Sequence, residues 1–263
     1  MQQIVVNGIH INYQEEGVGF PLVLIHGLSD DSTLWAPLIP EFSKHFRTIA
    51  LDVRGHGYSS KPDAPYSIKL LTEDLFEFLG KLKVSQTHLL GLSMGGAIAQ
   101  QFALDHMERV HSLILLSTFH YVSIDLDDTF QDLRNCLIED GFSSFFDKAV
   151  RLVVTPKFVS ANVDAIAEIR IRSIQTNCPT AIIHALDACR DFNIRNRISQ
   201  ISLPTLIISG EEDVFTPPQL SEEIHKLIKG SKWKVMSDVG HNLIIPEKTQ
   251  ELAQIVREFL ECR

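Results

Sequence analysis

Apolar residues recur along the chain in two alternating rhythms, one suited to buried strands and one to amphipathic helices. Val5–Tyr13 places Asn7-Gly8 between two short alternating runs, which predicts a β-hairpin. PLVLIHG (21–27) is a continuous apolar run ending in glycine, as a strand covered on both faces would be. RTIALDVRGHG (47–57) repeats that pattern, an apolar strand followed by a glycine-rich polar loop. Ile68, Leu71, Leu75, Phe78, Leu79 and Leu82 then form a helical stripe. Strands are predicted at 87–90, 110–116, 206–209 and 232–236, and helices at 94–104, 217–229 and 247–260. The 217–229 helix carries its own punctuation: Thr216 and Gln219 fit a capping box, Pro217 the first helical position, and Gly230 the stop. Strands alternating with helices predict an α/β fold, a mostly parallel sheet with helices on both faces.

One stretch breaks the alternation. Between His120 and Gln200 only helical patterns occur, at 130–138, 142–153 and 162–174. The simplest reading is a helical cap, 120–200, inserted into a core domain made of 1–119 and 201–263. Such an insertion would cover the carboxyl edge of the sheet, where open α/β folds bind ligands.

Composition narrows the possible partners. A net charge of −9 with scattered Lys and Arg argues against a nucleic-acid backbone. No apolar run approaches the ~20 residues that span a bilayer. The four cysteines, Cys136, Cys178, Cys189 and Cys262, lack CxxC or metal-finger spacing and read as reduced thiols. MQQIVVNGIHINY alternates like a strand and is not read as a signal peptide. These features predict a soluble cytoplasmic protein, monomer or homodimer, without metal or cofactor. No HExxH occurs, and no Lys-Ser/Thr follows the glycines at 91–96 to hold a nucleotide phosphate.

The stretch with the most chemical content is HLLGLSMGGAIAQQFAL (88–104). Gly91-Leu92-Ser93-Met94-Gly95 matches G-x-S-x-G where an apolar strand hands over to a helix, a turn that holds a serine hydroxyl out for reaction. The hydroxyl needs a base, and the base needs an orienting acid. Of 11 histidines, His241 follows the last predicted strand and so falls on the same sheet edge as Ser93. Asp213 comes just past strand 206–209, also at a carboxyl end, and the order Ser93, Asp213, His241 suits this turn. The backbone N–H groups of Leu28 and Met94 are the candidate oxyanion donors. His26, Phe119, His120 and Tyr121 are candidate pocket residues, and Asp52 with Arg54 a candidate structural pair. Arg170, Arg172, Arg190, Arg195 and Arg197 read first as a solvated face; one turned inward would suit a carboxylate-bearing substrate.

HGL (26–28), DVRGHGYS (52–59), GLSMGG (91–96), GEEDVFTP (210–217) and VGHN (239–242), in that order, resemble the α/β-hydrolase superfamily over nearly the whole chain. The resemblance implies an eight-stranded sheet, a helical cap and a Ser–His–Asp triad matching Ser93, His241 and Asp213. With ALDACRDFNIRNRI (185–198), it is similar to 3-oxoadipate enol-lactonases and small carboxylesterases, to perhydrolase-type enzymes and to C–C hydrolases. Serine at 93 departs from the haloalkane dehalogenases, and HGLSDD lacks the HGxGPG usual in C–C hydrolases. The expected activity is cleavage of a small-molecule ester or lactone through an acyl-enzyme on Ser93. A non-catalytic ligand receptor that keeps the triad is the reading from another class.

Overall fold

The computed structural model describes residues 2–261; Cys262 lies outside them. The chain opens with the hairpin β1 (Gln2–Val6) and β2 (Ile9–Glu16), turned by Asn7 and Gly8, both at positive φ. There follow β3 (Pro21–Ile25), the short α1 (Ile39–Phe42), β4 (Arg47–Leu51), α2 (Ile68–Lys81), β5 (Thr87–Leu92), α3 (Met94–Asp105) and β6 (Val110–Leu116). Five helices come next: α4 (Ile124–Glu139), α5 (Gly141–Val153), α6 (Pro156–Ala161), α7 (Val163–Thr176) and α8 (Pro179–Arg190). The chain then returns to β7 (Thr205–Gly210), α9 (Pro218–Leu227), β8 (Lys232–Met236) and α10 (Thr249–Glu261).

All eight strands form one sheet in the order β1-β2-β4-β3-β5-β6-β7-β8. The pairs β1–β2 and β2–β4 are antiparallel and every other pair is parallel. Period-two alternation sends successive side chains of one strand into two cores. Val23 and Ile25 of β3 join the layer under α2 and α3, whereas Leu22 and Leu24 join the layer under α1 and α10. Leu113 and Leu115 of β6 likewise face one layer, and Ile114 and Leu116 the other. A strand apolar at every position is thereby consumed on both sides, which is why the central strands read as unbroken apolar runs.

Two local expectations need correction. Thr216 and Gln219 form no capping box: α9 begins at Pro218, its N-cap is Pro217, and no side chain caps it. The helix also ends at Leu227, before Gly230, which instead turns the chain into β8 with φ +76°. Asp52 and Arg54 are not a pair either. Arg54 makes a buried two-pronged ion pair with Asp74 of α2 (2.6 and 2.8 Å). Asp52 instead accepts hydrogen bonds from Asn12 Nδ2 and from the Ser32 and Tyr58 N–H groups, tying β2 to the segments that follow β3 and β4.

Candidate active site

The turn between β5 and α3 puts Ser93 at φ 54°, ψ −117°, a conformation that costs a non-glycine residue about 1–3 kcal/mol. The surroundings over-determine it. Ser93 N–H donates to the Leu116 carbonyl at 2.9 Å, and the Ser93 carbonyl accepts from the Thr118 hydroxyl at 2.7 Å and from Ala97 N–H at 3.1 Å. Backbone passes so close that a Cβ at Gly95 would lie 2.1 Å from the Ile25 carbonyl oxygen, and one at Gly91 2.3 Å from that of Gly95. The glycines are therefore fixed by close approach to neighbouring backbone rather than by positive φ. Among the described residues the Ser93 hydroxyl has no hydrogen-bond partner; it opens onto a cavity of about 290 Å³ that His241 also lines.

His241 lies in the loop after β8, and Asp213 in the loop after β7. His241 Nδ1 is 2.9 Å from Asp213 Oδ2, with both side chains almost wholly buried. The carboxylate is fully engaged: Oδ1 accepts from Phe215 N–H (2.9 Å) and Thr216 N–H (2.8 Å), and Oδ2 also from the Thr216 hydroxyl (2.9 Å). An acceptor-only carboxylate beside Nδ1 requires that nitrogen to carry the proton, which leaves Nε2 with a lone pair. The Thr216 oxygen, 3.0 Å from Nδ1, and the Phe215 ring, edge-on with its centroid 5.0 Å from that of His241, fix the imidazole from two further sides. Thr216, which the sequence pattern places in a helix cap, thus contacts both Asp213 and His241. Its signal was present, since Asp213 three residues upstream folds back onto the Phe215 and Thr216 N–H groups as an Asx turn.

The N–H groups of Leu28 and Met94, the two expected oxyanion donors, have no acceptor among the described residues. Met94 opens α3, where the helix dipole adds partial positive charge. Leu28 precedes Ser29, whose φ is +59° and whose carbonyl accepts from Asn177 Nδ2 at 3.1 Å, so this loop is pinned just beyond the end of α7.

The expected pocket residues are elsewhere. His26, Phe119, His120 and Tyr121 are not among the residues lining the cavity. His26 joins two loops: its Nε2 accepts from Val53 N–H at 2.9 Å, so its Nδ1 is the protonated nitrogen and donates to the Gly27 carbonyl. His120 and Tyr121 lie where the helical insertion leaves the sheet and returns to it. The His120 carbonyl accepts from Ile194 N–H, and Tyr121 bridges to Asn193. Phe119 packs against Phe130 and Phe192.

The cavity wall comes instead from α5 (Phe145, Phe146, Ala149, Leu152), α7 (Ala165, Ile166, Ile169) and the 242–246 stretch, with Leu133 and Phe215. No Lys or Arg lines it among the described residues. The arginines of the insertion face outward: Arg170 pairs with Asp147, Arg190 with Asp127 and Arg197 with Asp105. Arg195 lies over the Tyr121 ring, and Arg172 is exposed.

Residues 21–248 match the model of the alpha/beta hydrolase fold family. The chain belongs to the α/β-hydrolase fold family. Within the family it is 31% identical to the 2-hydroxymuconate semialdehyde hydrolase of Pseudomonas sp. (strain CF600), over 98% of this chain and 93% of that one. It is 27% identical to a pimeloyl-[acyl-carrier protein] methyl ester esterase of Neisseria meningitidis, over 90% of this chain and 76% of that one. The enol-lactonase structure from Burkholderia xenovorans LB400 superposes with a TM-score of 0.93 at 26% identity, covering 99% of this chain and 100% of that one. This α/β-hydrolase is therefore a hydrolase whose relatives divide among different bonds. No helix of the described residues is long and apolar enough to cross a membrane.

Proposed function

We propose that the chain is a serine hydrolase of carboxylic esters that carry no anionic group, with lactones as ring-closed members of the same class. The observation that carries this reading is an unpartnered Ser93 hydroxyl in one mostly apolar cavity with a His241 held by Asp213, and no Lys or Arg in the wall among the described residues. In the proposed reaction Ser93 Oγ attacks the ester carbonyl and His241 Nε2 takes its proton. The carbonyl oxygen becomes an oxyanion held by the Leu28 and Met94 N–H groups, which together supply several kcal/mol. The tetrahedral species collapses, the C–O bond breaks, and the alcohol leaves with the proton from His241. Water, deprotonated by the same nitrogen, then releases the acid and regenerates Ser93. Asp213 keeps Nδ1 protonated and stabilises the imidazolium.

The kinship with a semialdehyde hydrolase of 31% identity supports a second reading, cleavage of a carbon–carbon bond by the same residues. Against it stands the wall: an anionic substrate would meet no Lys or Arg there. The test is a panel of short neutral esters, lactones and monoesters of diacids, measured as kcat/KM for wild type and Ser93→Ala. The expected result is turnover of the neutral esters, reduced at least about 10⁴-fold in Ser93→Ala with the melting temperature preserved. Ester turnover that survives Ser93→Ala would overturn the reading.

A further inference from the structure

One side chain of the cavity has no place in the reaction just described. Asp30 lies two residues beyond Leu28 on the same loop and lines the cavity with Ser93 and His241. Among the described residues it is the only acid in a wall that is mostly aliphatic and aromatic, with Ser29, Asn162, Ser173 and Asn242 as neutral polar members beside Ser93 and His241. A Cβ built on Gly27 would sit 3.3 Å from Asp30 Oδ2 and 3.4 Å from Ser93 Cβ, so the carboxyl and the serine share one side of that glycine. Among the described residues the carboxyl makes no hydrogen bond and no ion pair.

Its neighbours are already committed. Asp31 accepts from the Thr33 N–H and hydroxyl, His26 is tied to Val53 and Gly27, and His241 is tied to Asp213. Arg172, the remaining charge that acts on Asp30, stays exposed on α7 and forms no pair with it. An unpaired carboxyl facing an apolar space is costly, and its cost falls when something in that space gives it a hydrogen bond.

We infer that Asp30 sets the substrate range of this site: it accepts a hydrogen bond from a hydroxyl or ammonium group carried near the scissile carbonyl, and it excludes substrates carrying a carboxylate there. The inference rests on the ester-hydrolase reading for its turnover assay only. Geometry makes Asp30 a specificity group rather than a base, because His241 already occupies that role with a fixed tautomer. Burial holds the Asp30 carboxyl up at about 6, against the lesser opposing influence of His26 and the reinforcing one of Asp31. Exclusion of carboxylates is thus weaker in mild acid, where Asp30 carries its proton, and stronger at neutral pH.

Four size-matched methyl esters test this: butyrate, 3-hydroxybutyrate, 3-aminobutyrate and monomethyl succinate. Each is read as a kcat/KM ratio to butyrate, so that any change common to all substrates cancels. The wild type is expected to prefer the hydroxy or ammonium ester, and to disfavour monomethyl succinate, each by about tenfold or more. An advantage confined to 3-aminobutyrate identifies a cationic substrate class, and one shared with 3-hydroxybutyrate a neutral donor. Asp30→Ala should bring both ratios toward one. Asp30→Asn, which keeps an acceptor oxygen but no charge, should keep the hydroxy preference and lose the exclusion of succinate. In the wild type that exclusion should steepen as pH rises through about 6, and in Asp30→Asn it should be flat.

Binding of the same four esters to Ser93→Ala, with and without Asp30→Ala, gives a readout independent of catalysis. If ester turnover fails altogether, these binding ratios still decide the role of Asp30. Ratios that are unchanged by Asp30→Ala, in turnover or in binding, would overturn the inference, as would a uniform loss across all four esters.

Discussion

The floor and the roof of the cavity are built by opposite means. On the floor, β5 and β7 are buried at every position, and Ser93, Asp213 and His241 are held by backbone contacts and by hydrogen bonds of 2.7–3.1 Å. In the roof, α6 has no buried residue, α7 has only Thr176, and α5 only Phe142 and Phe145. What joins α5 to α7 on the outside is the solvated Arg170–Asp147 pair. The geometry of Ser93, Asp213 and His241 is thus fixed by elements that cannot move without disturbing the sheet, whereas the space above is bounded by helices that bury few residues of their own. A site of this kind keeps its chemistry while its substrate range changes with a few side chains of the roof and of the 27–30 loop.

Substitutions should break this contrast unequally. Gly95→Ala drives a methyl group onto the Ile25 carbonyl and should destabilise the protein by more than about 3 kcal/mol, read as a collapse of the denaturation midpoint. Acid should act next. Burial, with His26, holds the His56 imidazole down to about 3; burial holds His88, beside His111, and His120, beside Arg195, down to about 4. All three are neutral when folded, while the unfolded chain takes up protons near 6.5, so their stabilisation is full above that pH and is lost as pH falls. Asp30 has the opposite sign: its contribution is full below about 4 and disappears as pH rises through about 6. Three histidines against one carboxyl predict a net loss of several kcal/mol between pH 7 and 4.5. His88→Gln should flatten that slope by about 2 kcal/mol in urea titrations.

Thr216→Val sharpens the distinction between holding a residue and doing chemistry. It removes the hydroxyl that bridges Asp213 and His241 and should lower kcat by about tenfold with KM nearly unchanged. Thr216→Ser should restore most of the rate, which a purely packing role would not require. Smallest of all, Arg170→Ala in the roof should change stability by less than about 1 kcal/mol, since both partners are solvated.

The same contrast decided what could be read from the sequence. The floor was legible because its constraints are local: Gly91, Ser93 and Gly95 report a backbone crossing, and unbroken apolar runs report strands covered on both faces. Asp213 and His241 followed because each sits one loop beyond such a strand. The roof was not legible, since an amphipathic helix such as α5 announces that it buries a face but not what that face meets. Phe119, His120 and Tyr121 misled for a related reason. They follow a strand that does reach the site, but they serve to fasten the root of the insertion. Thr216 was hidden by a stronger pattern, a capping box overlapping an Asx turn.

The most direct measurement is to mix the enzyme with a short p-nitrophenyl ester, quench it in acid within milliseconds and map the modified peptide by mass spectrometry. The expected result is one acyl group on Ser93 that disappears on longer incubation and never forms in Ser93→Ala. Ester turnover without an acyl group on Ser93, or with one on another residue, would contradict the proposed mechanism.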